Sequence, residues 1–119
     1  MFNLNFILSP GSCGYFCLRH ILKKKIKKEF YLSLHRVKEI LSERGYSCLC
    51  LKIYDIKFIK KEYLTLVKSS DNSLHYIVVK KVKKGYVYFY DPLFVFVRRK
   101  KIANFLQIWS KICLIYTKV

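Results

Sequence analysis

The stretch from Leu74 to Asp91 constrains this chain more than any other. Leu74 to Val82 and Tyr86 to Asp91 are apolar runs rich in Val, Ile, Tyr and Phe, joined by Lys83-Lys84-Gly85. Strand-forming residues around a short Gly-containing turn predict an antiparallel β-hairpin. A hairpin cannot bury its own faces, so other elements must cover it. The candidates precede it. Cys13 to Leu22 carries Phe16, Leu18, Ile21 and Leu22 at spacings that suit a buried helix, with Ser12 as its N-cap. Ser33 to Arg44 reads as a second helix with the stripe Leu34, Val37, Ile40 and Leu41, and Gly45 stands where a C-terminal cap belongs.

The remaining segments extend the sheet. Tyr46 to Tyr54 and Tyr63 to Lys68 are predicted strands, Phe94 to Arg98 can add another, and Ile112 to Tyr116 closes the series. Lys101 to Trp109 has helical spacing, and Asp55 to Glu62 leaves room for a helical turn. The class is therefore α+β, with N-terminal helices packed on an antiparallel sheet. At 119 residues the chain suits one domain over 1–119, with no linker or repeat to split it.

Charge is the next constraint. Against 7 acidic residues stand 24 basic ones, a net charge of +17. Such an excess raises nucleic acid or an anionic membrane surface as a partner. Lys, Ile, Phe, Tyr and Asn are also the products of A/T-rich codons, so drift in base composition accounts for the same excess. No RNA- or DNA-binding signature accompanies it, and no nucleic-acid partner is expected. The five cysteines are an odd number, and the run Phe2 to Leu8 is a poor secretory signal, which together argue for a reducing cytosol. No stretch approaches the roughly 18 to 20 apolar residues of a membrane span.

Cys13 follows a Pro-Gly turn, precedes a glycine and opens a helix. The positive end of the helix dipole favours the thiolate there, and Gly14 leaves room for a substrate backbone. A Cys-Gly pair can equally be a buried small residue. His75 heads one strand of the hairpin and Asp91 ends the other, so the turn brings the two roughly level. A carboxylate so placed fixes an imidazole whose other nitrogen can serve a thiol, although the same pair can do no more than close a hairpin. Cys13, Cys17 and His20 share helical spacings, but no Cys-x-x-Cys pair supports a metal site, and none is expected. Cys17, Cys48 and Cys50 read as packing groups, His35 as exposed, and His20 as surface or half-buried.

Three motifs taken together resemble the bacteriocin-processing cysteine peptidases, the papain-like domains that precede peptidase-containing ABC exporters. Ser12-Cys-Gly-Tyr-Phe-Cys-Leu18 is similar to their nucleophile motif, Leu74-His-Tyr-Ile-Val-Val79 to their histidine strand, and Asp91-Pro92 to their Asp-Pro. Phe105 and Trp109, and Leu34 to Leu41 followed by Gly45-Tyr46, extend the likeness along nearly the whole chain. The resemblance implies a papain-like fold and a thiol protease with Cys13, His75 and Asp91 as its triad. The substrate it implies is a leader peptide, cut after a Gly-Gly pair from a ribosomally made peptide. It further implies coupling to the membrane and ATPase parts of an ABC exporter, in cis or in trans, on the cytoplasmic side of a bacterial cell membrane, with no cofactor. The paired lysines and Arg98-Arg99 would then be solvated surface or would touch the inner leaflet, the exporter or an acidic leader.

The chain also departs from the pattern. In that family a glutamine six positions before the nucleophile lends its amide to the oxyanion hole; here the position is Ile7. The Cys13 backbone N–H remains, with Asn5 as the nearest upstream amide. Loss of one oxyanion donor costs about 10²–10³ in rate. The alternative expectation is therefore a weak or inactive peptidase-like domain that binds substrate or exporter.

Overall fold

The computed structural model describes residues 11–70, 72–94 and 96–119. Helix α1 (Cys13–Leu22) and helix α2 (Leu34–Glu43) lead into strand β1 (Tyr46–Lys52). Strands β2 (Tyr63–Lys68), β3 (Leu74–Lys83), β4 (Tyr86–Tyr90) and β5 (Val97–Lys101) follow, then helix α3 (Ile102–Ile108) and strand β6 (Trp109–Lys118). The six strands form one antiparallel sheet in the order β1-β6-β2-β3-β4-β5. The papain-like α+β class expected from the motifs is the class observed.

Each element has a local cause. On α1 the buried residues Gly14, Tyr15, Cys17, Leu18 and Ile21 follow the helical period, and the helix stops where Lys23 turns left-handed (φ 57°). On α2 the Ser33 hydroxyl accepts the Arg36 backbone N–H at 3.1 Å, while Val37, Ile40 and Leu41 face inward. Ser12 holds the N-cap place of α1, but its backbone is αR and its side chain does not cap, contrary to expectation. Gly45 (φ 86°) sends its N–H back to the Ser42 carbonyl, as a helix terminator does.

The helices divide the core into two layers. Tyr15, Leu18, Ile21, Val37 and Leu41 pack against Leu64, Tyr76, Val78 and Leu114 on one face of the sheet. Phe105 and Trp109 pack against Tyr63, Ile77, Val79, Val87 and Phe89 on the other. The hairpin turn is Lys84-Gly85, with φ 51° and 82°, and a two-residue turn with both residues left-handed suits a twisted hairpin. One extra residue bulges from β3 between Val79 and Lys81. Lys80 continues the alternation of Tyr76 and Val78 and faces α1, while the bulge resets the pattern beyond it, so Val82 joins Ile77 and Val79 in the second layer.

Asp55 to Glu62 holds a single turn, in which the Lys57 and Phe58 N–H groups fold back onto the Asp55 carboxylate (2.9 Å) and carbonyl (2.9 Å). Two expectations are corrected. The strand expected at Phe94 to Arg98 runs from Val97 to Lys101, because the Asp91-Pro92 turn occupies the preceding residues. Cys50 is exposed rather than packed, since β1 is a sheet edge and the first core layer reaches only as far as Cys48.

Candidate active site

Cys13 stands on the first turn of α1, half-buried. α1 lies on β3, and the Tyr76 backbone N–H donates to Cys13 Sγ at 3.5 Å. Tyr76 also donates its hydroxyl to the Leu32 carbonyl at 2.8 Å, which ties the loop before α2 to the same strand. Gly14 makes this contact possible: a Cβ there would sit 3.2 Å from Leu32 Cβ and 3.2 Å from the Tyr76 ring. The space beside Gly14 is thus filled by the protein itself and is not a channel for substrate.

His75 precedes Tyr76, so the residue that holds the thiol is the neighbour of the imidazole. His75 Nε2 lies 3.4 Å from Asp91 Oδ2, and His75 Nδ1 is buried without a hydrogen-bond partner among the described residues. Asp91 is only 5% exposed. Its Oδ1 accepts the Leu93 N–H at 3.0 Å, and its carbonyl accepts the Phe94 N–H at 2.9 Å, so the turn after β4 grips the carboxylate. Cys13, His75 and Asp91 therefore gather at one end of the hairpin, as their positions in sequence implied. Asn5 and Ile7 lie outside the described residues.

The electrostatics differ from expectation at the thiol. Burial pushes the Cys13 thiol above its ordinary value of 9.0, and hydrogen bonds from the Tyr76 and Gly14 backbone only partly offset this. The backbone donors at the helix start do not outweigh burial. A proton acceptor is needed at the moment of reaction, and the unpartnered Nδ1 of His75 is a nitrogen of the right kind.

Sequence reasoning missed one residue. Arg98 Nη1 lies 3.8 Å from Asp91 Oδ2, the same oxygen that faces His75. Its guanidinium stacks 3.9 Å from the centre of the Phe94 ring and 5.9 Å from that of Phe89. β5 brings it there by pairing Arg98 with Phe89, two residues before Asp91. The only signal in the sequence is an arginine alternating between outward-facing neighbours on a strand. A cleft of about 340 Å³ opens beside these groups, lined by Ser69, His75, Asp91, Leu93, Phe94 and Arg98 among others.

The metal-like spacing on α1 is otherwise engaged. Cys17 is wholly buried in the first core layer. The His20 ring stacks on Tyr90 at 4.1 Å and bonds to Lys80 at 2.9 Å. Among the described residues no group of three His, Cys, Asp or Glu side chains could hold a metal ion. No helix among them is long and apolar enough to cross a membrane. His35 is exposed, as expected.

Comparison with known proteins gives three relevant likenesses. The sequence model of the Peptidase C39 family matches residues 8–119. The peptidase domain of Streptococcus mutans ComA has a TM-score of 0.68 at 20% identity, covering 89% of this chain and 91% of that one. A double glycine motif protease from an AMS/PCAT transporter, solved in complex with the leader peptide, reaches 0.76 at 18% identity, covering 94% and 88%. At such identities the solved structures establish a shared fold. No curated protein matches the chain.

Proposed function

The chain belongs to the Peptidase C39 family of cysteine peptidases, and from that premise we propose that it is an endopeptidase that removes leader peptides after a Gly-Gly pair. The observation that carries the proposal is the convergence on β3. Tyr76 holds the Cys13 thiol, and the adjacent His75 is engaged by Asp91 at Nε2 while its buried Nδ1 has no hydrogen-bond partner among the described residues. Cys13 sulfur attacks the carbonyl carbon of the second glycine while His75 Nδ1 takes the thiol proton. The tetrahedral oxyanion meets the Cys13 backbone N–H at the start of α1, with Asn5 as the proposed second donor. Collapse expels the amine of the downstream peptide, which receives the proton from His75. Water, activated by the same imidazole, then releases the leader from the thioester. Asp91 keeps the ring oriented throughout.

No cofactor enters this scheme. The solved transporter peptidase that carries a leader peptide supports the same substrate class for this chain, and support for an exporter partner comes from the same relatives. We place the reaction on the cytoplasmic side of the membrane, coupled to export. A second reading, a domain that binds leader or exporter with little turnover, is favoured by Ile7, which stands where the family's glutamine amide would serve the oxyanion hole.

The deciding measurement is cleavage of a Gly-Gly leader peptide by the wild type and by Cys13→Ala, with products identified by mass spectrometry. Cleavage after the second glycine by the wild type alone supports the endopeptidase. Binding of the peptide without cleavage by either protein supports the second reading, and equal cleavage by both rules out Cys13 as nucleophile.

A further inference from the structure

A second concave site lies at the other end of the same hairpin. It is a cleft of about 410 Å³ between the loop before β2 and the β3–β4 turn. Six lysines line it: Lys57, Lys60, Lys61, Lys81, Lys83 and Lys84. No acidic residue lines it, and among the described residues none of the six ammonium groups is paired with a carboxylate. The nearby Glu62 is committed elsewhere, to Lys80 at 2.5 Å and to the Tyr116 hydroxyl at 2.6 Å. The inner wall includes Tyr63, which is 1% exposed and whose hydroxyl has no hydrogen-bond partner among the described residues.

Composition drift scatters lysines over a surface; it does not gather six around one hollow. Like charges in a concavity repel one another and focus a positive potential that a small anion relieves. All six cations are lysines, and none of the chain's arginines lines the cleft. Lysine ammonium groups meet phosphate oxygens as point charges and need no fixed fork geometry. We propose that this cleft binds a phosphate group, carried either by a soluble phosphate or by a lipid headgroup. With β3 rising about 3.3 Å per residue, Lys83 lies on the order of 25 Å from His75, so the site is separate from the catalytic end.

Two triple variants test it. Lys60→Gln/Lys81→Gln/Lys83→Gln removes three of the six charges of the cleft, and Lys24→Gln/Lys25→Gln/Lys27→Gln removes equal charge from the exposed connection after α1. Calorimetric titration with inorganic phosphate is one arm. Sedimentation with phosphatidylglycerol–phosphatidylcholine vesicles, against phosphatidylcholine alone, is the other. The cleft variant is expected to lose roughly a hundredfold in vesicle affinity, or at least about tenfold for free phosphate, while the control triple changes by less than about threefold. Selective loss in the phosphate arm identifies a soluble ligand, and selective loss only with vesicles identifies a headgroup. Equal losses in both triples, no binding to either probe, or tighter binding of a single-stranded RNA than of both probes would overturn the proposal.

Discussion

Single side chains set how the candidate site would work. Burial raises the Cys13 thiol and so disfavours its thiolate at neutral pH. Alkylation of Cys13 by iodoacetamide, followed by peptide mass spectrometry, is therefore expected to accelerate about tenfold per pH unit up to at least pH 9. A plateau near neutrality would mean that the thiol is already ionised. Arg98 makes a different prediction. Its charge shares Asp91 Oδ2 with His75, so it acts as a positioning residue for the pair. Arg98→Met keeps an apolar stem on Phe94 and should lower kcat by about fivefold with KM unchanged, since one half-buried charge contact is worth about 1 kcal/mol. Arg98→Lys restores a charge and should recover most of that loss, whereas equal losses in both would point to packing. Cys13, His75 and Asp91 were legible in the sequence because a short hairpin and a helix start fix them locally. Arg98 was not, because its role depends on the register of β5 against β4 and on a ring stack that no spacing encodes.

Among the elements, β3 carries the most consequence. On it Lys80 follows Tyr76 and Val78 onto the α1 face, where it bonds to His20 and Glu62 and so staples the nucleophile helix to the sheet. Burial, with the Lys80 charge beside it and Lys23 beyond, holds His20 below 6.5, while Glu62 pulls the other way. The folded state thus prefers a neutral imidazole. Its contribution to stability is full above about pH 6.5 and declines as pH falls from there through the lowered folded value. His20→Gln retains an acceptor for Lys80 and should flatten the fall in Tm between about pH 7 and 5 in a thermal-melt series. Glu62, held below its usual value by Lys80 and Tyr116 despite burial, adds a separate loss at more acid pH. The strands and helices themselves could be read from apolar spacing and turn residues. The bulge could not, since Val79 to Val82 looks like unbroken strand until β4 is paired against it.

For the whole molecule, the two edges of the sheet are unequal. β5 is guarded by Arg98, Arg99, Lys100 and Lys101, a charged edge that discourages pairing with another chain. β1 exposes Leu49, Leu51 and the free thiol of Cys50 instead. Under mild oxidation the chain is expected to form a Cys50–Cys50 dimer on a non-reducing gel, which Cys50→Ser removes while Cys13→Ser does not. The antiparallel class was evident from the hairpin, but the strand order was not, because it depends on where β6 inserts. β6 lies between β1 and β2 and, among the described residues, is the only strand joining the α2–β1 portion to the rest of the sheet. A ribosome makes residues 109–118 after every other element described, so during synthesis the sheet stays in two pieces until they emerge. The His75–Asp91 hairpin can form early from neighbouring residues. The two-layered core that seats the thiol helix against it closes only afterwards, so an unfinished chain would carry the residues of the site without a working peptidase.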